Sequence, residues 1–172
     1  MIEESIVVSD SNIFFDLISV DLLESFFLLP CRITTTDFVI NEIITPEELK
    51  AVQSFILTGK LHVENFEFSE LTSINELYLN NGTNASITDC SVWYYAKKTD
   101  GRLLTGDAKL RRVALNDSVK VSGLLYVFDN LIEYEIVDEA TCAEKLKRLM
   151  GINHRLPEDE FTKRIDIWLK RL

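Results

Sequence analysis

The stretch ESIVVSDSNIFFDL, residues 4–17, decides how the chain begins to fold. Its apolar run from Ile6 to Val8 is typical of a buried strand, and the residues from Asn12 to Ser19 have the apolar spacing of a helix. Asp10 stands between them, directly after the predicted strand. A buried strand that ends in a carboxylate needs an explanation, because an ionised carboxylate is costly to bury without a partner.

Short apolar strands alternate with helical segments along the rest of the chain. Alternation of this kind predicts an α/β sandwich with a mainly parallel sheet. Further strands are predicted at Arg32–Thr35, Leu61–Val63, Arg102–Thr105 and Val119–Val121, with helices between and after them.

The composition indicates one globular domain. The chain has 172 residues, of which 47% are hydrophobic and 27% charged, as in soluble proteins with a real core.

The acidic N-terminus is unlike a signal peptide, and no uncharged apolar run approaches the roughly 20 residues of a membrane span. The three cysteines are far apart in sequence, which argues against a disulfide framework, so we expect a cytoplasmic protein without membrane contact. The net charge of −10 argues against broad coating of nucleic acid.

Four acidic residues are predicted to converge at one edge of the sheet. Parallel strands place their carboxyl ends together, so Asp10 and Asp107, each after a strand, belong there. Asp89 lies in the first turn of a helix whose length, about 15 Å, nearly equals that of the strand returning to Asp107. Glu42 lies about a turn into the helix after the second strand, and its side chain is long enough to reach the edge. We call Asp10, Glu42, Asp89 and Asp107 the acid cluster.

The acid cluster points to a metal ion. Two unit charges 4 Å apart repel by about 4 kcal/mol at an effective dielectric of 20, so such a cluster needs protons or a cation among its members. Oxygen ligands suit Mg²⁺ or Mn²⁺, which assist the attack of water on a phosphodiester. Asp10 is thus best interpreted as a metal ligand held at the end of a rigid strand.

Four motifs now show a resemblance to a known family. VVSDSNIFFDL, NEI, SITDCSVWYYAKK and RLLTGDAKLRR resemble, in order and spacing, the acidic motifs of the PIN domain family, and in particular its prokaryotic single-domain VapC-like branch. The resemblance covers roughly residues 5–130. On this basis we assign residues 1–137 to a PIN-like nuclease domain and residues 138–172 to a C-terminal helical extension packed on the same domain.

The resemblance implies a Rossmann-like α/β/α fold and Mg²⁺- or Mn²⁺-dependent cleavage of RNA, with the acid cluster as catalytic and metal-binding residues. Asn12 and Thr105 match supporting polar residues of the family. The resemblance also implies the toxin of a toxin–antitoxin pair, with an antitoxin protein as partner, and a homodimer. Some members carry a further acid or Asn just after the fourth acid, where this chain has Ala108, Lys109 and Leu110, so the number of metals stays open.

Ordinary interpretations stand beside these. Asp89 is also the third helical residue of a capping box that begins at Ser86, and Asp107 can cap the helix that starts at Ala108. Glu42 can be a solvated helix residue. The basic residues after the last acid can contact phosphates or form a solvated helix face; they are Lys109, Arg111 and Arg112. An alternative to the nuclease is a catalytically inactive PIN-like module that binds RNA or protein.

Overall fold

The computed structural model describes residues 5–170, in which five strands form one parallel sheet. The order across the sheet is β3-β2-β1-β4-β5, and every neighbouring pair is parallel. The strands are β1 (Ile6–Ser9), β2 (Arg32–Thr36), β3 (Leu61–Glu64), β4 (Arg102–Leu104) and β5 (Lys120–Ser122). The predicted mainly parallel sheet is confirmed, and each of the five strands differs from its predicted bounds by one residue at one or both ends.

Helices cover both faces of the sheet and complete the predicted α/β/α sandwich. Those before β3 are α1 (Ser11–Ser19), α2 (Leu23–Phe26), α3 (Asp37–Glu42) and α4 (Pro46–Leu57). Those between β3 and β5 are α5 (Phe68–Asn80), α6 (Ile87–Lys98) and α7 (Ala108–Asn116). The last three are α8 (Leu124–Glu133), α9 (Glu139–Ile152) and α10 (Glu158–Leu169). Within the described chain, none of these helices has the length and apolar character that crossing a bilayer requires.

The central strand is buried on both sides, as expected for a parallel sheet between two helical layers. Val7 and Val8 have no exposed surface. The neighbouring strand β2 is rich in threonine, yet Thr34 and Thr35 are equally buried because their hydroxyls donate to backbone carbonyls of β1, at 3.1 Å and 2.8 Å. Satisfied hydroxyls of this kind make a polar strand compatible with the core.

The strand order creates a switch point beside β1. The chain moves outward from β1 to β2 and β3, and then returns past β1 to β4 and β5. At such a reversal the connections leave on opposite faces of the sheet, which opens a crevice at the carboxyl ends of the two strands. Asp10 and Thr105 directly follow β1 and β4, so both lie at this crevice.

The C-terminal helices pack against the core of the sandwich. Trp168 of α10 is 1% exposed, and its ring stacks on Phe128 of α8 with the centroids 6.0 Å apart. Its indole N–H donates to Asp129 at 3.1 Å, and the other carboxylate oxygen of Asp129 pairs with Arg164. Asn153, after α9, donates to Asp16 of α1 at 2.9 Å. The division of the chain at residues 137 and 138 stays a prediction.

Candidate active site

Asp10 sits at the centre of the crevice, at the junction of β1 and α1. Its backbone N–H donates to the carbonyl of Leu104 at 3.1 Å, which continues the pairing of β1 with β4. Its side chain caps α1, accepting from the N–H of Ser11 at 2.7 Å. Only 3% of the residue is exposed. The backbone therefore holds this carboxylate at a fixed position in the crevice.

Both oxygens of Asp10 are hydrogen-bonded. Besides the bond from Ser11 to Oδ1, Oδ2 accepts from the amide of Asn12 at 2.9 Å and from the hydroxyl of Thr105 at 2.8 Å. Burial nevertheless raises the pKa of Asp10 from 3.8 to about 6, because desolvation outweighs these bonds. Charge repulsion from Asp89 and Glu42 contributes to the same rise. The carboxylate thus faces other acids.

Thr105 connects Asp10 to the loop that carries Asp107. While its hydroxyl donates to Asp10, the same oxygen accepts from the backbone N–H of Asp107 at 3.0 Å. Asn12 holds the same loop from the other side, since its Oδ1 accepts from the N–H of Gly106 at 3.1 Å. The two residues predicted to support the site therefore connect the segment after β1 to the loop after β4.

Asp107 also caps α7, as its ordinary interpretation requires. Its Oδ1 accepts from the N–H groups of Lys109 and Leu110, both at 2.8 Å. No donor from the described residues bonds to Oδ2. Capping uses one oxygen and leaves the other for a ligand, so the two interpretations of Asp107 are compatible.

Asp89 also combines a role in a helix cap with a position facing the other acids. It forms the capping box with Ser86, whose hydroxyl accepts from the Asp89 N–H at 3.0 Å and whose N–H donates to Asp89 Oδ2 at 2.7 Å. Burial raises the pKa of Asp89, and the charges of Asp107 and Glu42 add to the effect. This repulsion indicates that Asp89 faces the other acids while it caps α6.

Glu42 is the last residue of α3 and is exposed. Its Oε2 lies 3.4 Å from the hydroxyl of Ser11, which is also 3.5 Å from Asp10 Oδ1. Ser11 therefore lies between two members of the acid cluster, a position that the sequence analysis missed. The signal was present, since the hydroxyl directly follows the first motif acid.

The acid cluster has no basic partner among residues 5–170: none of its four members forms an ion pair with a Lys, Arg or His there. An all-oxygen donor set of this charge fits a hard divalent cation in its chemistry. The side chains are not drawn together around one point, however. In the described chain, no three Asp, Glu, His or Cys residues are close enough to ligate a single ion.

The three basic residues after Asp107 differ in their surroundings. Lys109 and Arg112 are exposed on α7. Arg111 is half-buried, and its Nη2 donates to the backbone carbonyl of Thr105 at 3.0 Å. The predicted phosphate contacts of all three stay predictions, although one donor of Arg111 is occupied within the protein.

Comparisons with known proteins bear on the family and the fold. The fold resembles that of PAE2754 from Pyrobaculum aerophilum, with a TM-score of 0.56 and 14% identity over 77% of this chain and 98% of that one. VapBC2 from Rickettsia felis, solved with a fragment of promoter DNA, gives a TM-score of 0.48 and 14% identity over 69% of this chain and 98% of that one.

No curated protein matches the sequence significantly. A family model described as a PIN domain matches residues 6–169, which include all four acids and the C-terminal helices. The predicted relationship to the PIN domain family is confirmed by this match. The chain belongs to the PIN domain family.

Proposed function

We propose that this protein is a ribonuclease that hydrolyses RNA phosphodiester bonds with Mg²⁺ or Mn²⁺ bound by the acid cluster. The observation that carries the proposal is Asp10, a carboxylate only 3% exposed, which faces further acids and has no cationic partner in the described chain. An arrangement of this kind lowers the stability of the protein at neutral pH, so it is better explained by a ligand than by folding.

The parts of the site divide between fixed and adjustable groups. Asp10 is held by three hydrogen bonds, Asp107 is the N-cap of α7, and Asp89 is held in the capping box of α6 as its third helical residue. Glu42 is exposed at a helix end, so its side chain can move toward the other three. A bound divalent ion would polarise the phosphate and activate water. Ser11, Asn12 and Thr105 would keep the Asp10 carboxylate oriented toward it.

A non-cutting PIN-like module that binds RNA or protein is the second candidate. It is favoured by the spacing of the acid cluster, which does not form a closed ligand set in the described residues. Metal binding separates the two functions. A nuclease must bind Mg²⁺ or Mn²⁺ at millimolar concentration or below, whereas a binding module gains nothing from the ion.

The first experiment is cleavage of a mixed pool of structured and single-stranded RNA with Mn²⁺. We expect the wild type to cut, EDTA to stop it, and Asp10→Asn to be inactive. Asp16→Asn is a matched control, because Asp16 is a partly buried acid of the same helix whose partner is Asn153. Equal products from wild type and Asp10→Asn, with no Mn²⁺ binding by calorimetry, would reject the nuclease.

The VapC-like motifs support a more specific proposal, in which the protein acts in the cytoplasm as the toxin of a toxin–antitoxin pair. The partner would be an antitoxin protein that covers the acid cluster and places an Arg or Lys among the carboxylates. Expression in a bacterial host should then arrest growth, and Asp10→Asn should relieve the arrest. We also propose a homodimer, and sedimentation as a monomer at high concentration would exclude it.

A further inference from the structure

We propose that Arg111 is a positioning residue, which holds the loop of Thr105 and Asp107 against Asp10, and that Gly123 leaves the space for its guanidinium. The inference rests on the proposed function, because it assigns a residue to the same site. It also gives Arg111 a role other than the phosphate contact predicted from the sequence.

The position of Arg111 in α7 directs its side chain back to the loop. Side chains of a helix lean toward its N-terminus, and Arg111 lies one turn into α7, its N–H donating to the carbonyl of Asp107. The guanidinium reaches the carbonyl of Thr105, six residues earlier, at 3.0 Å. A charged donor makes a stronger hydrogen bond to a carbonyl than a neutral one does. Arg111 therefore fixes the backbone at the residue that touches Asp10.

The position of Thr105 affects two members of the acid cluster, Asp10 and Asp107, because it is hydrogen-bonded to both. Its N–H donates to the carbonyl of Ser122 at 3.0 Å, so its backbone is held from the β5 side as well. Its hydroxyl donates to Asp10 and accepts from the N–H of Asp107. Any movement of the Thr105 backbone would change both hydrogen bonds at once. Loss of the Arg111 contact should consequently affect two members of the acid cluster.

Gly123 explains why the guanidinium fits. Its backbone angles, φ −123° and ψ −164°, are open to any residue, so conformation does not require glycine. The limited space at this position does require glycine, because a Cβ there would lie 2.8 Å from Nη2 of Arg111 and 3.6 Å from the carbonyl oxygen of Thr105. The nearest atom is the tip of a long side chain. Gly123→Ala should therefore displace the guanidinium and leave the fold intact.

Two substitutions at different points of the chain thus remove one contact. Arg111→Gln removes the guanidinium, and Gly123→Ala pushes it away from Thr105. If both act through the same hydrogen bond, their effects will not add in the double variant. Gly151→Ala is the control for the glycine, since a Cβ there meets nothing within 4 Å. Arg155→Gln, at an exposed position after α9, is the control for the arginine.

Three measurements on folded protein test the proposal. The amide NMR shifts of Gly106 and Asp107 in the metal-free protein report the position of the loop without any activity. Calorimetry gives the Mn²⁺ affinity, and RNA cleavage gives kcat and KM separately. Thermal unfolding gives the temperature below which every variant is folded, and all three measurements are made below that temperature.

We expect both single variants to shift the two amides in the same direction and to weaken Mn²⁺ binding or lower kcat by about 10- to 100-fold, with KM unchanged. The double variant should be no worse than either single one, and the controls should match the wild type. Unmoved amides, or additive losses, would overturn the proposal. A rise in KM with unchanged Mn²⁺ affinity would also overturn it and assign Arg111 to phosphate binding. If the wild type binds no Mn²⁺ and cuts no RNA, the proposed function fails, and the amide shifts alone decide whether Arg111 positions the loop.

Discussion

The hydroxyl of Thr105 donates a 2.8 Å hydrogen bond to Oδ2 of Asp10 across 95 positions of sequence. The bond is possible because β1 and β4 are neighbours, with Ser9 paired to Leu104 in the last register position before the two residues. It joins the two sides of the switch point, where the strand order reverses. The arrangement of the acid cluster therefore depends on a contact that only the complete sheet creates.

Thr105→Val should damage both stability and activity, because valine keeps the shape and removes the hydroxyl. Asp10 loses a donor, and the N–H of Asp107 loses its acceptor. We expect the free energy of unfolding to fall by about 1–3 kcal/mol and cleavage to slow by about 10- to 100-fold. Urea unfolding and initial cleavage rates measure the two effects.

Thr34→Val is the matched control for this substitution. Thr34 is a fully buried threonine whose hydroxyl donates to the carbonyl of Val7 at 3.1 Å, away from the acid cluster. Its loss should lower stability without slowing cleavage by folded protein. Cleavage by Thr105→Val at the wild-type rate would show that the hydroxyl has no part in the reaction.

The stability of the metal-free protein should fall as pH rises, because of Asp10. Its pKa is raised by burial to about 6 in the folded protein, against an ordinary 3.8, so the folded state binds this proton more tightly. The stabilisation is complete below the lower value and is lost as pH rises through the higher one. The loss amounts to about 3 kcal/mol. Asp10→Asn cannot ionise, so the wild type should lose stability relative to it between about pH 4 and about pH 8.

Urea unfolding of both proteins across this range, with EDTA present, measures the difference. Asp166→Asn, at an exposed position of α10, is the control and should follow the wild type. Saturating Mn²⁺ should restore the wild type at high pH and leave Asp10→Asn unchanged, since a ligand that binds only the folded state stabilises it. If the unfolding free energies of wild type and Asp10→Asn changed in parallel with pH, the raised pKa of Asp10 would be contradicted.

Much of the site follows from sequence because the backbone determines it. Asp10 and Asp107 come after strands, and parallel strands bring such residues to one edge whatever the side chains do. The level of Asp89 follows from the lengths of one helix and one strand. The contact of Ser11 with Glu42 and the contact of Arg111 with Thr105 could not be predicted in this way. They depend on side-chain rotamers and, for Arg111, on the space beside Gly123.

The ends of the strands were less predictable than their existence. β4 ends at Leu104 and β5 begins at Lys120 because each is a short strand whose length is set by pairing with its neighbour. Thr105 was predicted as the last strand residue. In the structure its N–H still donates to the carbonyl of Ser122, while its side chain belongs to the site. Pairing across the sheet, which one sequence does not reveal, fixes this boundary.

Ser86→Ala should separate the two roles of Asp89. The hydroxyl of Ser86 accepts from the Asp89 N–H, while the carboxylate of Asp89 accepts from the Ser86 N–H. Alanine removes the first bond and keeps the second, so the helix loses part of its cap, at a cost of about 1 kcal/mol. Cleavage should remain near the wild-type rate because the carboxylate is intact. Asp89→Asn should instead abolish cleavage.

The cleavage rate and the free energy of unfolding must be measured for both Ser86→Ala and Asp89→Asn. Were Asp89 only a capping residue, Asp89→Asn would resemble Ser86→Ala, with a small loss of stability and full activity. That result would remove Asp89 from the acid cluster and leave three members.

Trp168→Ala should destabilise the whole protein if α10 belongs to the same folding unit as the sheet. The ring is 1% exposed, stacks on Phe128 and donates to Asp129, so its removal leaves a cavity and breaks this hydrogen bond. We expect a loss of about 3–5 kcal/mol in a single cooperative transition. Ile167→Ala is the control, because Ile167 is the preceding residue and is 47% exposed; it should change stability by about 0.5 kcal/mol or less. Circular dichroism and tryptophan fluorescence should report the same midpoint. Separate midpoints, with the first one alone moved by Trp168→Ala, would mean that the C-terminal helices unfold independently of the sheet that carries the acid cluster.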